Sequence, residues 1–173
     1  MTNSSQKSSG VQSNGIKLRE LREADRAPLL DILRRTAVFS EEEIDVALEL
    51  IDAGLYKPDG DGYYFVVAED STGAVVAYSC YGPTPLTDGV YDLYWIAVDP
   101  RTQGRGVGRV ILAATEEIIR GRGGRIVLIE TASKEEYANT RGFYLATGYI
   151  EEARVRDFYH IGDDKIIYAK RLG

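Results

Sequence analysis

One segment limits the folds open to this chain more than any other. Val90 to Val98 is a β-rich run stopped by Asp99 and Pro100, and within a few residues come Gln103 Gly104 Arg105 Gly106 Val107 Gly108 Arg109. From there Val107, Ile111, Ala114 and Ile118 recur at helical spacing. A strand that passes through glycines directly into a helix is a unit of α/β architecture. Glycine allows close backbone approach and positive φ, and the first turn of the following helix offers unpaired N–H groups at its positive dipole end. Together these can hold a pyrophosphate without a large basic patch. Two familiar nucleotide loops do not fit. A Walker loop requires Lys and then Ser or Thr after its last glycine, where this chain has Arg109 and Val110, and a dinucleotide fingerprint counted from Gly104 meets Arg109 where its third glycine belongs.

The rest of the chain supplies a sheet for that unit. Ile16 and Leu18 suggest a short strand, and Asp25 reads as a cap ahead of Pro28 and a helix carrying Leu29, Leu30, Ile32 and Leu33. Ser40 with Glu43 forms a capping box for a second helix whose stripe is Ile44, Ala47, Leu48 and Ile51, ended by Gly54. Tyr63 to Asp70 and Ala74 to Tyr81 flank a turn, the signature of a hairpin. Beyond the glycine loop and its helix, Ile126 to Ile129 is a continuous apolar run expected to be covered on both faces. Glu135 to Thr147 reads as a helix closed by Gly148, and strands Ile150 to Asp157 and Lys165 to Arg171 flank a turn at Gly162 to Asp164. The order is β, α, α, β, β, β, α, β, α, β, β, which implies a mixed sheet covered by helices.

Composition narrows the class. With 173 residues and 44% apolar side chains the chain reads as one domain, 16–173, preceded by a disordered polar tail, 1–15. A net charge of -6 argues against nucleic acid as a partner. No run of 18 apolar residues argues for a membrane span, and the N-terminus lacks the pattern of a signal peptide, so a cytoplasmic location is expected. Cys80 is the single cysteine, and no Cys/His cluster points to a metal.

Leu93 Tyr94 Trp95 Ile96 Ala97 Val98 Asp99 Pro100, then Gln103-x-x-Gly106-x-Gly108, then Phe143 Tyr144 with Gly148 Tyr149, resembles the GNAT superfamily of acetyl-CoA-dependent N-acetyltransferases. The match in strand order runs from about Ile16 to the C-terminus, with the sharp motifs between Asp92 and Tyr149. The resemblance implies an α/β (α+β) GNAT fold, a mixed, mostly antiparallel twisted sheet of about seven strands flanked by about four helices. It implies acetyl-CoA as co-substrate, with Ile96, Ala97 and Val98 along the pantetheine arm. Gln103, Gly104, Arg105, Gly106, Val107 and Gly108 would hold the pyrophosphate, with Arg105 and Arg109 adding charge. Tyr137 stands where the family often has Asn and is the remaining candidate contact to CoA.

Amide formation from a thioester needs a neutral amine and a proton for the departing thiolate. By resemblance Tyr144 is the general acid beside the CoA sulfur. Tyr137, seven residues earlier, would share its helix face about 10.5 Å away along the axis. Asp92 is the candidate base, and strand alternation would put it on one face with Tyr94, Ile96 and Val98. It is one methylene shorter than the family's usual glutamate, which favours a bridging water. His160 reads as an exposed loop residue and Cys80 as a buried strand residue with no base beside it. Gly142 costs its helix about 1 kcal/mol relative to Ala, for which close packing against the cofactor or a strand is a reason.

The expected activity is acetyl transfer to a primary amine, on a small molecule or a protein N-terminus, by direct attack in a ternary complex. The reading from another class is a non-catalytic acyl-CoA-binding or sensing domain, against which Asp92 and Tyr144 argue. By resemblance the acceptor enters between the segments 38–56 and 158–165, whose Glu41, Glu42, Glu43, Asp163 and Asp164 would attract a cationic amine. A polyamine, an amino acid and a protein N-terminus stay open as acceptors, and the many tyrosines leave a homodimer open.

Overall fold

The β-rich runs and amphipathic segments become, in the computed structural model, a single sheet with two helical layers. Residues 12–13, 15–57, 62–102 and 104–173 are described. The elements are β1 (Gln12–Ser13), β2 (Ile16–Arg19), α1 (Arg26–Thr36), α2 (Glu41–Tyr56), β3 (Tyr64–Glu69), β4 (Val75–Pro83), β5 (Val90–Val98), α3 (Val107–Gly121), β6 (Ile126–Ala132), α4 (Ala138–Ala146), β7 (Ile150–His160) and β8 (Asp163–Arg171). The sheet runs β1-β2-β3-β4-β5-β6-β8-β7, antiparallel throughout except for the parallel pair β5 and β6. The expected mixed, mostly antiparallel sheet with four helices is present, and the two-residue β1 is added to it. Most of the segment 1–15 read as a tail lies outside the described residues, and its Gln12 and Ser13 pair with Lys17 and Ile16.

Two cores lie on the two faces of the sheet. α1 and α2 cover one face with Leu29, Ile32, Leu33, Ile44, Ala47 and Ile51. α3 and α4 cover the other with Val107, Ile111, Leu112, Ile119 and Tyr144, packed on Val127, Ile129, Ile166 and Tyr168. The buried stripe of α3 is rotated from the expected one. Ile118 is exposed, while Thr115 and Glu116 turn inward because each has a partner: Thr115 bonds the Ser79 hydroxyl at 2.7 Å, and Glu116 accepts from the Tyr149 hydroxyl at 3.0 Å and from Lys170 Nζ at 2.7 Å.

Several local expectations change. Asp25 does not cap α1; it is buried and accepts two bonds of 2.7 Å from the Arg19 guanidinium, and Arg22 N–H donates to it at 2.8 Å. The Ser40 box is formed, with Ser40 N–H donating to Glu43 Oε2 at 2.8 Å and Glu43 N–H to Ser40 Oγ at 3.2 Å. Gly54 lies inside α2 rather than ending it, and a Cβ there would come within 2.3 Å of the Phe65 ring, so it permits close approach of helix to sheet. β7 and β8 extend beyond their expected ends, and the presumed loop 158–165 is the tip of a hairpin turning at Ile161 and Gly162.

Candidate active site

The hydrogen-bond ladder between β5 and β6 stops early. Val90, Tyr91 and Asp92 pair with Ile126, Val127 and Leu128, and beyond that point the two strands run on to Val98 and Ala132 without pairing. The resulting cleft of about 870 Å³ is lined by β5 from Leu93 to Val98 on one side and by Ile129 to Ala132 of β6 on the other. Gly108, Phe143 and Tyr144 line it from one helical layer, and Phe39, Glu43 and Val46 from the other. The cleft is therefore a slot through the sheet that both layers reach.

β5 carries an irregularity that sets which side chain faces which layer. Trp95 opposes Cys80 of β4 and Leu93 opposes Tyr81, so Tyr94 is an extra residue in a β-bulge. Leu93, Ile96 and Val98 then belong to the α3/α4 core, and Trp95 and Ala97 to the α1/α2 core. This corrects the expectation for Asp92. Lying between Tyr91 and Leu93, it faces the α1/α2 layer, opposite Ile96 and Val98, because the bulge inverts the alternation.

At the end of β5, buried Asp99 is held by Arg35 at 3.0 Å and Arg101 at 2.7 Å, and its backbone C=O accepts from Thr102 N–H at 2.9 Å and from the Thr102 hydroxyl at 2.8 Å. This clasp fixes the turn that launches the glycine loop, and the Arg101 guanidinium keeps the Asp99 carboxyl below its ordinary value. Gly104 and Gly106 have φ of +78° and +75°, which disfavours any side chain, and a Cβ at either would point into open space. The first bond within α3 runs from Val110 N–H to Gly106 C=O, and no side chain caps the helix start. The N–H groups of Val107, Gly108 and Arg109 are thus left for an anion. Gln103 lies outside the described residues. Arg105 is exposed beside the loop, and Arg109 donates to the Ala146 carbonyl at 3.4 Å, across to the end of α4.

Within the cleft, Ile96, Ala97 and Val98 all contribute to the β5 wall. Tyr144 is 4% exposed, packs on Phe143, Tyr149 and Tyr168, and still lines the cleft. Burial raises its phenol, so it holds its proton. Asp92 is not a lining residue; it is half-buried and accepts from the Thr84 hydroxyl at 2.7 Å. Burial raises its carboxyl above the ordinary 3.8, with the Thr84 bond opposing. Tyr137 is not on α4 with Tyr144 but ends the short 3-10 turn Glu135–Tyr137, and its hydroxyl donates to Glu43 Oε1 at 2.9 Å, across the cleft to α2. His160 lines the mouth from an exposed position at the end of β7. Cys80 is fully buried, and burial raises its thiol.

Other residues of the site escaped the sequence reading. Tyr94, thrust out by the bulge, lines the cleft with its phenol pushed up to about 12 by burial and by Asp92. Glu130 lines it too, two residues beyond the last position of β6 paired with β5, and forms a 2.6 Å ion pair with Lys165. Trp95 Nε1 and the hydroxyl of Thr131 are buried without a hydrogen-bond partner among the described residues, and both side chains line the cleft. A slot with unmet polar atoms and an anion-binding loop at one end fits an extended, amide-bearing ligand with a pyrophosphate.

Two expectations change here. A Cβ at Gly142 would meet nothing within 4 Å among the described residues, so of the two reasons offered for this glycine the packing against a strand does not hold. Asp163 and Asp164 are already engaged: Asp163 Oδ1 accepts from Ser133 N–H at 3.0 Å and Lys134 N–H at 3.2 Å, and Asp164 pairs with Arg154 at 2.9 Å. Both fasten the hairpin tip, Asp164 facing the cation of Arg154 and Asp163, a lining residue, facing uncharged N–H donors. Among the described residues no group of three His, Cys, Asp or Glu side chains is arranged to hold a metal, and no helix is long and apolar enough to cross a membrane.

The family model of the acetyltransferase (GNAT) family matches residues 26–149. Among solved structures, a protein from Desulfovibrio desulfuricans assigned to the GNAT family as an acetyltransferase is 42% identical, with a TM-score of 0.87 over 91% of this chain and 99% of that one. The ribosomal-protein-S18-alanine N-acetyltransferase of Escherichia coli shares 22% identity and the fold, with a TM-score of 0.71 over 91% of this chain and 94% of that one. A Salmonella typhimurium protein assigned as an acetyltransferase and solved with acetyl-CoA shares 19% identity, with a TM-score of 0.69 over 92% and 95% of the two chains. No curated protein matches the chain.

Proposed function

Because the chain belongs to the acetyltransferase (GNAT) family, we propose that it moves the acetyl group of acetyl-CoA to a primary amine by direct attack in a ternary complex, within one catalytic domain, 16–173, in the cytoplasm. The observation that carries this reading is the parting of β5 and β6 after Asp92 and Leu128, which opens the sheet to both helical layers. A thioester laid along the α3/α4 side and an amine entering from the α1/α2 side can meet there without a covalent enzyme intermediate. Cys80 is unsuited to form one, since its thiol is fully buried and raised.

Each chain residue has a task in this scheme. The free N–H groups of the α3 start and the Gly104 to Gly108 backbone hold the pyrophosphate, with Gln103, Arg105 and Arg109 alongside. Ile96, Ala97 and Val98, paired with β4 on one side, present the edge of β5 left open toward β6 to the pantetheine amides. Tyr144 keeps its proton until a thiolate departs beside it. A thiolate in the same apolar surroundings is itself made more basic, as burial does to Cys80, so proton transfer from a raised phenol stays matched. Asp92 faces the acceptor layer and is outside the cleft lining, which supports removal of the amine's proton through water.

The test is CoA thiol release with an amine panel. Tyr144→Phe should lower turnover by about 10² to 10⁴ with acetyl-CoA affinity nearly unchanged. Unaltered turnover, with chemistry shown to limit it, would remove Tyr144 from the reaction, and tight acetyl-CoA binding without thiol release to any amine would favour the non-catalytic acyl-CoA-binding reading.

A further inference from the structure

The reading above leaves the acceptor open among a polyamine, an amino acid and a protein N-terminus, and the acceptor half of the cleft distinguishes them. Glu43 is held in place by two uncharged donors, the Tyr137 hydroxyl at 2.9 Å on Oε1 and Ser40 N–H at 2.8 Å on Oε2. A carboxylate has about four acceptor positions, so two stay open. Among the described residues Glu43 has no ion pair, so its charge is fixed in position and not neutralised. Around it stand aromatic faces, with Phe39 5.1 Å from the Trp95 ring and 6.5 Å from the Tyr137 ring. The Lys134 ammonium lies 5.2 Å from the centroid of the Tyr137 ring, so one face of this ring already holds a cation.

The rest of the lining has the same sign. Glu42, Glu43, Glu130, Glu136 and Asp163 line the cleft, against the one ammonium of Lys134. No arginine lines it among the described residues, and Lys165, the cation paired with Glu130, is outside the lining. An amino acid would bring a carboxylate into a lining of five acidic side chains, where among the described residues Lys134, already over the Tyr137 ring, is the one ammonium to receive it. Trp95, on the α1/α2 side, also leaves its Nε1 without a partner among the described residues, a donor open to a ligand atom in this half of the cleft.

We propose that the acceptor is an aliphatic di- or polyamine, whose second ammonium is bound by Glu43 against the rings of Tyr137, Phe39 and Trp95 while its first amine reaches the thioester. This rests on the acetyl-transfer reading. Tyr137 thereby serves acceptor choice instead of the CoA contact expected from its position in the motif.

The experiment measures kcat/KM at saturating acetyl-CoA for α,ω-diamines of three to six carbons, spermidine, butylamine, 6-aminohexanoate and an N-terminal peptide. The proposal expects the best diamine to exceed butylamine at least tenfold, with an optimum in chain length, and 6-aminohexanoate to fall below butylamine. Glu43→Gln keeps an oxygen for the Tyr137 hydroxyl and removes the charge, and should bring the diamine-to-butylamine ratio down about tenfold toward one. Tyr137→Phe, which frees the carboxylate from its clamp, should lower the same ratio. Amines acetylated with no preference for a second charge, or a ratio that Glu43→Gln leaves intact, would overturn the dication site while leaving acetyl transfer standing. A peptide N-terminus preferred over every diamine would overturn it in favour of a protein acceptor. Failure of every amine, with acetyl-CoA still bound, would overturn both readings.

Discussion

Asp92 is a carboxyl kept partly out of water, with Thr84 as its one hydrogen-bond donor among the described residues, and under the proposed base role that burial should act oppositely on stability and on rate. Its carboxyl is raised above its ordinary 3.8, chiefly by burial, so the folded chain binds this proton more tightly than the unfolded one. The sign follows. Asp92 costs nothing at low pH, where both states are protonated, and its penalty grows as pH rises through the unfolded and then the folded value. Asp92→Asn keeps an oxygen for Thr84 and should match the parent's stability in acid and exceed it at neutral pH, as read by urea unfolding across pH. The rate should move the other way, falling at neutral pH and recovering partly at higher pH, where more amine is already neutral. A pH–rate profile superimposed on the parent's would leave Asp92 as a strand residue only, and Glu130, which lines the cleft itself, would become the base to test.

At the scale of elements, the β7–β8 hairpin, whose β7 is exposed along its whole length, is fastened at its tip by Asp163. Asp163→Ala should leave the Lys134 N–H without its acceptor and the Ser133 N–H with the Asp164 carbonyl at 2.9 Å alone, and cost about 1 to 3 kcal/mol. Faster hydrogen exchange at those two amides, together with a lower urea midpoint, would register the loss; unchanged exchange would mean the clasp is dispensable. Nothing in the sequence reveals this clasp, since the partners of Asp163 belong to a turn about thirty residues away. Local signals were better readers. Asp99 and Pro100 mark the end of β5, and Ser40 with Glu43 marks the start of α2, because stops and caps act within one turn of chain. The bulge at Tyr94 was illegible, since an extra residue is defined only against the partner strand, and it reversed the side on which Asp92 lies. The bond from Tyr137 to Glu43 spans 94 positions and crosses from one helical layer to the other, so motif position alone assigned Tyr137 to the donor.

For the molecule as a whole, the sheet is a partition opened between β5 and β6, and a ligand in that slot would add contacts among α3, α4 and β5. A pyrophosphate at the α3 start and a chain along β5, reaching Phe143 and Tyr144 of α4, would join three elements in the native state alone. Binding of that kind stabilises by mass action, about 2.7 kcal/mol at a ligand concentration 100 times Kd. For a chain of this size each kcal/mol shifts the midpoint by about 2–4 °C, so saturating acetyl-CoA should raise Tm by roughly 5–10 °C. Gly106→Val tests where the shift originates. Valine at φ +75° is strained, so the variant should melt lower by itself, and the measured quantity is the ligand-induced shift and not the absolute Tm. That shift should be nearly abolished, because the distorted loop no longer turns its amides toward the phosphates. Gly106→Asn, a residue that tolerates this conformation, should keep most of it. If valine and the parent protein show equal shifts, the donor is held by α4 and β5 without the glycine loop, and the anion site at the start of α3 has to be given up.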